Sequence, residues 1–261
     1  MYRHRLWSMR RVAAVAGVVV TSMLSCHVAL ASKERSDELV HSTLQLDVDV
    51  RRGAQVFAEN CARCHGAAAL GDEAKGVPSL AGQRKTYLVK ELADFLERER
   101  AGLTMHGVVS QKAIAEPQVW ADVANFLSNL TPLKAPATGD GKRLELGEAI
   151  FQDQCASCHE DDARGDDDGF VPSLRNQHYS YLVHQIRGIS NWHRANVESD
   201  LVRFLDSLQA DETLAVADYL SRLRTPVRDR AVLQPDGTLK DTGDQAVPAC
   251  IDKGKPCITR Q

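Results

Sequence analysis

Cys61-Ala62-Arg63-Cys64-His65 recurs as Cys155-Ala156-Ser157-Cys158-His159, 94 residues further along a chain of 261. Cys-x-x-Cys-His is the attachment pattern of a c-type haem: two thiols spaced to form thioethers with one porphyrin, and a histidine placed under its iron. Cys61, Cys64, Cys155 and Cys158 are therefore read as the covalent anchors of two haem c groups, with His65 and His159 as proximal ligands. Zinc would need two such pairs brought together, whereas each pair here carries its own histidine within its own domain-sized segment. A thioredoxin-like redox pair would need strands and crossover helices around it, and the flanks show helical periodicity instead.

Far more than the motif repeats. At the same offset Gly53 matches Gly147, Phe57 matches Phe151, Val77-Pro78-Ser79-Leu80 matches Val171-Pro172-Ser173-Leu174, and Tyr87-Leu88-Val89 matches Tyr181-Leu182-Val183. With one residue lost, Val123 to Leu130 then matches Val216 to Leu223. A unit of about 80 residues is too long for a solenoid repeat and is read as a complete domain. The expected organisation is an N-terminal extension at 32–49, a first domain at 50–132, a Pro/Gly-rich linker at 133–142, a second domain at 143–224 and an irregular tail at 225–261. Cys250 and Cys257 in the tail are expected to close a local disulfide.

Within each unit the pattern reads helix, haem loop, helix, helix, with no competing strand alternation. Helices are expected at Gly53–Cys61, Tyr87–Glu99 and Val119–Leu130, and at Gly147–Cys155 and Leu214–Leu223 in the second copy. Gly53, lacking a Cβ, would let the last helix approach closely, with Phe126 crossing near Phe57. The fold class is all-α.

The N-terminus reads as an export signal. Arg3, Arg5, Arg10 and Arg11 precede an apolar run from Val12 to Leu24, and Ala29-Leu30-Ala31 is a small-x-small cleavage site. Cleavage near Ala31 places the chain in the periplasm. A lipid anchor at Cys26 and an uncleaved N-terminal anchor are the alternatives. The mature chain would hold 28 basic against 35 acidic residues, a net charge of −7. That balance argues against nucleic acid and anionic membrane surfaces as partners. Contact with the membrane is expected only through partners unless the N-terminus is retained.

Over residues 50 to 223 the chain resembles the tandem dihaem cytochromes c of the cytochrome c4 family, in both haem motifs, the Pro-Ser-Leu segments and the starts of the middle helices. The resemblance implies two class I cytochrome c domains, one haem each, passing electrons between other redox proteins. It implies that the carbonyls of Pro78 and Pro172 accept a hydrogen bond from the proximal imidazoles, which orients the rings and raises their basicity. It also places Met105, the only methionine of the mature chain, as distal ligand of the first iron. A thioether favours reduced iron. His106 is the alternative ligand, and packing filler the bland reading of Met105.

The second unit departs from this pattern. Its equivalent stretch, Asn196 to Arg203, holds no methionine. His193 is the first candidate for the distal ligand of the second iron; an open iron and His184 are the alternatives, and His178 is expected to be exposed. The acidic run Glu160 to Asp168 reads as a solvated loop or as a steering surface for a basic partner.

The leading functional reading is an exported electron carrier between a quinol-oxidising complex or periplasmic dehydrogenase and a terminal oxidase. The alternative is a haem enzyme, or a haem subunit of a dehydrogenase or oxidase, that is peroxidase-like or thiosulfate-oxidising and acts at the second haem. A haem-based sensor would need an output domain that the sequence does not display.

Overall fold

The structure, a computed structural model, describes residues 32–191, 194, 196–225, 231–233 and 239–241. The expected signal segment 1–31 with Cys26 and Ala31, His193, and the expected Cys250–Cys257 disulfide lie outside the described residues.

Two copies of one helical plan follow each other. The first is built from α2 (Val50–Asn60), the short α3 (Ala62–His65), α4 (Lys85–Glu97), α5 (Leu103–Val109) and α6 (Pro117–Ser128). The second uses α7 (Leu144–Gln154), α8 (Ala156–His159), α9 (Tyr179–Ser190), α10 (Ser199–Ser207) and α11 (Ala210–Ser221). The helices start where the chemistry favours it. Asp49 caps α2 by accepting from the amides of Arg51 and Arg52, Pro117 opens α6, and Gln209 with Glu212 forms a capping box on α11. Helices α5 and α10, each between the middle and last long helix of its unit, form the distal wall of each candidate haem site.

First and last helices cross in both copies, α2 on α6 and α7 on α11. A Cβ on Gly53 would lie 2.2 Å from the Asp122 carbonyl oxygen, and one on Gly147 2.1 Å from that of Ala215. The aromatic pairs Phe57–Phe126 and Phe151–Tyr219 close each crossing with ring centroids 5.7 Å apart. The obstacle at each glycine is backbone, which cannot rotate aside. Gly147→Ala is therefore expected at or beyond the upper end of overpacking costs, about 3 kcal/mol, read as a lower denaturation midpoint with an unchanged m-value.

Residues 32–44 form an additional helix, α1, ahead of the first copy. Val40 joins the first core, the Ser36 hydroxyl donates to Asp94 over 2.6 Å, and His41 meets Phe170 of the second copy edge-on at 6.3 Å. The N-terminal extension is thus a packed element that touches both halves. The linker is also docked: the amides of Gly139 and Gly141 donate to the Asp218 carboxylate at 2.9 and 2.7 Å. The all-α expectation holds for both haem units. In the tail, β1 (Ala231–Leu233) and β2 (Leu239–Asp241) add an antiparallel pair with Val232 opposite Lys240. No helix among the described residues is long and apolar enough to cross a membrane.

The two halves meet through reciprocal hydrogen bonds. The Ser79 amide donates to Gln177 Oε1 and Gln177 Nε2 to the Ser79 carbonyl, both at 3.0 Å. The repeat-equivalent exchange, Ser173 with Gln83, spans 2.8 Å in both directions. Arg84 reaches the Arg164 carbonyl and the Asp167 carboxylate, each at 2.9 Å. Its equivalent His178 donates through Nε2 to the Leu70 carbonyl at 2.9 Å and lies 3.3 Å from the Glu73 carboxylate. The halves are therefore related by an approximate two-fold, as in an isologous dimer fused into one chain.

That arrangement corrects two expectations. His178 is buried, not exposed, because the start of α9 faces the other half and not solvent. Asp167, from the acidic run, is an interface residue that also accepts from the Thr86 hydroxyl at 2.8 Å.

Candidate haem sites

Each Cys-x-x-Cys-His segment is a single helical turn continuing the first helix. The Cys61 amide donates to the Phe57 carbonyl (2.9 Å) and the His65 amide to the Cys61 carbonyl (3.0 Å). The second copy repeats this with Cys155, Phe151 and His159, at 2.9 Å for both bonds. This turn places both sulfurs and the imidazole on the wall of one cavity. The chain then hooks back: the Gly71 amide donates to the His65 carbonyl, and Asp72 pairs with Val77. Gly165, His159, Asp166 and Val171 do the same.

The hook brings the proline carbonyls to the imidazoles. His65 Nδ1 lies 3.2 Å from the Pro78 oxygen and His159 Nδ1 3.1 Å from the Pro172 oxygen. A carbonyl only accepts, so Nδ1 carries the proton and Nε2 keeps its lone pair for a metal. Burial lowers the pKa of both histidines, outweighing the carbonyl bond, so both rings are neutral imidazoles. Cys61 and Cys155 are pushed up to about 11, first by burial and second by the neighbouring cysteine of each pair. None of the four site cysteines is paired in a disulfide.

The two sites open into one continuous cavity of about 1300 Å³ that touches all four cysteines, both proximal histidines and both prolines. Single small-molecule sites typically enclose about 300–1000 Å³. Volume, apolar lining and donor set together fit two porphyrins with an axial imidazole each.

The distal sides differ. In the first half α5 brings Met105 to the cavity. His106 does not line it: its Nδ1 donates to the Phe95 carbonyl at 2.9 Å, and Arg98 lies 2.9 Å from Nε2. In the second half α10 and its C-cap present Leu201, Phe204, Leu205 and Leu208, carbon side chains with no donor to iron, together with Asp200, an exposed carboxylate paired with Arg203. His184 lies exposed at the cavity rim, at the repeat position of Lys90, with its Nδ1 3.3 Å from Gln185 Nε2.

Sequence reasoning missed a buried charge cluster on the cavity wall. Glu91 on α4 accepts from Arg100 of its own half and, at 2.5 Å, from Arg194 of the other. Arg100 also donates to the Tyr181 hydroxyl (3.0 Å) and Gln185 (2.8 Å), while Arg194 donates to Gln185 at 3.1 Å. The backbones of Arg100 and Arg194 pair across the two-fold. The signal was present in the sequence, since Arg100 and Arg194 stand 94 residues apart, as do Tyr87 and Tyr181.

Burial alone would raise the pKa of Glu91, but Arg100, Arg194 and Lys90 outweigh it and bring the carboxyl to about 2 from 4.5. The same surroundings, burial and the Glu91 charge, push Tyr87 up to about 12, so it stays neutral. A carboxylate depressed in the folded state contributes stability above its unfolded pKa and loses it as pH falls through the folded one. Stability on the order of 3 kcal/mol should therefore disappear between about pH 4.5 and 2. Acid titration by circular dichroism should show this loss in the native protein and a smaller one in Glu91→Gln.

The sequence profile described as Cytochrome c matches residues 50–131 and again 144–224. A thiosulfate dehydrogenase electron acceptor of Stutzerimonas stutzeri is 32% identical over 180 residues, covering 66% of this chain and 82% of that protein. A cytochrome c4 of Pseudomonas aeruginosa is 28% identical, covering 65% and 86%. Among solved structures, reduced cytochrome c4 of Pseudomonas stutzeri superposes with a TM-score of 0.58 at 25% identity, over 67% of this chain and 98% of the other.

Proposed function

Because the chain belongs to the cytochrome c family, as a tandem dihaem cytochrome of the c4 kind with two covalently bound haem c groups, we propose that it is a periplasmic electron carrier. It would be exported by residues 1–31 and fold as domains at 50–132 and 143–224. The observation that carries this reading is the single cavity shared by both sites. Two haems in one cavity are close neighbours, so an electron accepted at one domain can leave from the other. The haems supply the one-electron chemistry. The chain's own residues would hold the groups (Cys61, Cys64, Cys155, Cys158), ligate iron (His65, His159), orient those rings (Pro78, Pro172) and supply a thioether (Met105) to the first iron.

For the second iron we assign His193 as distal ligand. His178 is engaged at the domain interface, His184 sits at the exposed rim, and α10 lines the cavity with carbon side chains apart from Asp200, which is exposed and paired with Arg203. Electron paramagnetic resonance of the oxidised protein should show two low-spin haems, one becoming high-spin in His193→Ala. Two unchanged low-spin signals in that variant would remove His193 from the site.

The partners are redox proteins: a quinol-oxidising complex or periplasmic dehydrogenase as donor and a terminal oxidase as acceptor. The relative named as an electron acceptor of thiosulfate dehydrogenase favours the dehydrogenase as donor. The test is rapid mixing of the oxidised holoprotein with a thiosulfate dehydrogenase and thiosulfate, then of the reduced protein with a terminal oxidase. Both haems should reduce only when the dehydrogenase is present and reoxidise with the oxidase. Turnover of thiosulfate or peroxide by the protein alone would replace the carrier by the enzyme reading.

A further inference from the structure

The two-fold that relates the halves is broken at charged positions of α4, at Glu91 and at the buried Asp94, which stands where α9 carries Gly188. Glu91 on α4 stands where α9 carries Gln185, at the same 94-residue offset that relates Arg100 to Arg194. Glu91 is 6% exposed and the side chains of Arg100 and Arg194 are each 10% exposed, so the Glu91 carboxylate lies between two guanidiniums, while the neighbouring buried Asp94 is engaged by Lys90 and Asn196. Glu91, Gln185 and both arginines line the cavity that both haem sites share. Had the symmetry been complete, the cluster would carry either no carboxylate or two.

We propose that Glu91 is a tuning residue: a fixed buried anion, contributed by the first domain alone, that sets the spacing between the two haem potentials. Reduction delivers one electron from a redox partner to ferric iron and removes one unit of positive charge from the haem. A nearby anion stabilises the ferric state and lowers the potential. The two arginines are present whichever residue occupies position 91, so replacing Glu91 by glutamine changes the field by one full charge. At an effective dielectric of ~20, such a charge alters an equilibrium about tenfold out to roughly 12 Å. Glu91 lies within one helical turn of Leu88 and Leu92, which α4 places on the cavity wall, so haem 1 feels it most. Glu91 therefore opposes Met105: the thioether raises the first potential and the carboxylate pulls it back toward the second.

The inference rests on the dihaem carrier reading. Its test is a potentiometric titration of the holoprotein with both haems resolved, the first identified by the spectroscopic signature of its sulfur ligand. Glu91→Gln should shift the reduction equilibrium of haem 1 about tenfold toward ferrous iron, a rise of ~59 mV for one electron, with a smaller rise at haem 2. Gln185→Glu should lower haem 2 more than haem 1, and the double exchange should transfer the depression from the first haem to the second. Midpoints unchanged within a factor of two in Glu91→Gln, or equal shifts of both haems, would overturn the proposal. If Glu91→Gln does not retain both haems, Gln185→Glu decides alone: a depression at haem 2 supports the proposal and its absence overturns it. Failure of the carrier reading would appear separately, as missing exchange with partners in a protein whose midpoints still respond.

Discussion

Met105→His lowers the midpoint potential of the first haem by on the order of 0.2 V, a fraction of the ~0.8 V over which axial ligands set haem potentials. A soft thioether stabilises ferrous iron, whereas an imidazole is the better donor to ferric iron. The side chain lies on α5, where it faces the cavity. The neighbouring histidine cannot take over, because Phe95 and Arg98 hold its ring away from the cavity. Val109 on the same helix is fully buried and keeps α5 in place, so the substitution exchanges the ligand without moving its support. Spectro-electrochemical titration should resolve one shifted and one unshifted wave. An unshifted pair would mean that Met105 is packing filler and the first iron is ligated otherwise.

Cys155→Ser together with Cys158→Ser leaves a protein with one covalent haem whose second domain no longer folds cooperatively. The porphyrins would fill the cavity between the two units. An unfilled cavity costs ~24 cal/mol per Å³, so leaving the whole 1300 Å³ empty would cost on the order of 30 kcal/mol, and one half about 15. Water entering through the mouth relieves much of this, but even a third exceeds what a domain with about 5–15 kcal/mol of stability can lose comfortably. The core of the second domain is also small. Phe151, Tyr219, Leu182, Leu220 and Leu223 gather around Ala156 and Ala163, leaving the haem as the largest apolar body. The haem-to-protein ratio should halve, and hydrogen exchange should show α7, α9 and α11 losing protection while α2, α4 and α6 keep most of theirs. Full protection of α11 in this variant would show that the domain stands without its haem.

Much of this molecule was legible in its sequence because its chemistry is local. Cys61, Cys64 and His65 lie within one helical turn, so their spacing alone states what they hold. Pro78 and Pro172 follow at a fixed distance along a hook that closes on itself. The crossing of α2 on α6 was legible through Gly53 and Phe126, since only an absent side chain lets two backbones come that close. Duplication made each of these signals visible twice. Helices α5 and α10 were less legible. Neither was among the expected helices, because each is short and leans on the cavity, not on a long amphipathic face.

What only the tertiary structure decided is how the two copies meet. His178 looked like a surface residue at a helix start, and nothing in the sequence singled out Glu91. Both are buried because the repeats pair about an approximate two-fold, which brings residues about 100 positions apart into contact. Sequence periodicity reports which face of a helix is apolar, and an interface of arginines, glutamines and carboxylates has no apolar face to report. The identity of the cofactors thus followed from five-residue motifs. The burial of the Glu91 carboxylate on the wall they share depends on packing one domain against the other, where low polarizability strengthens the field of a charge.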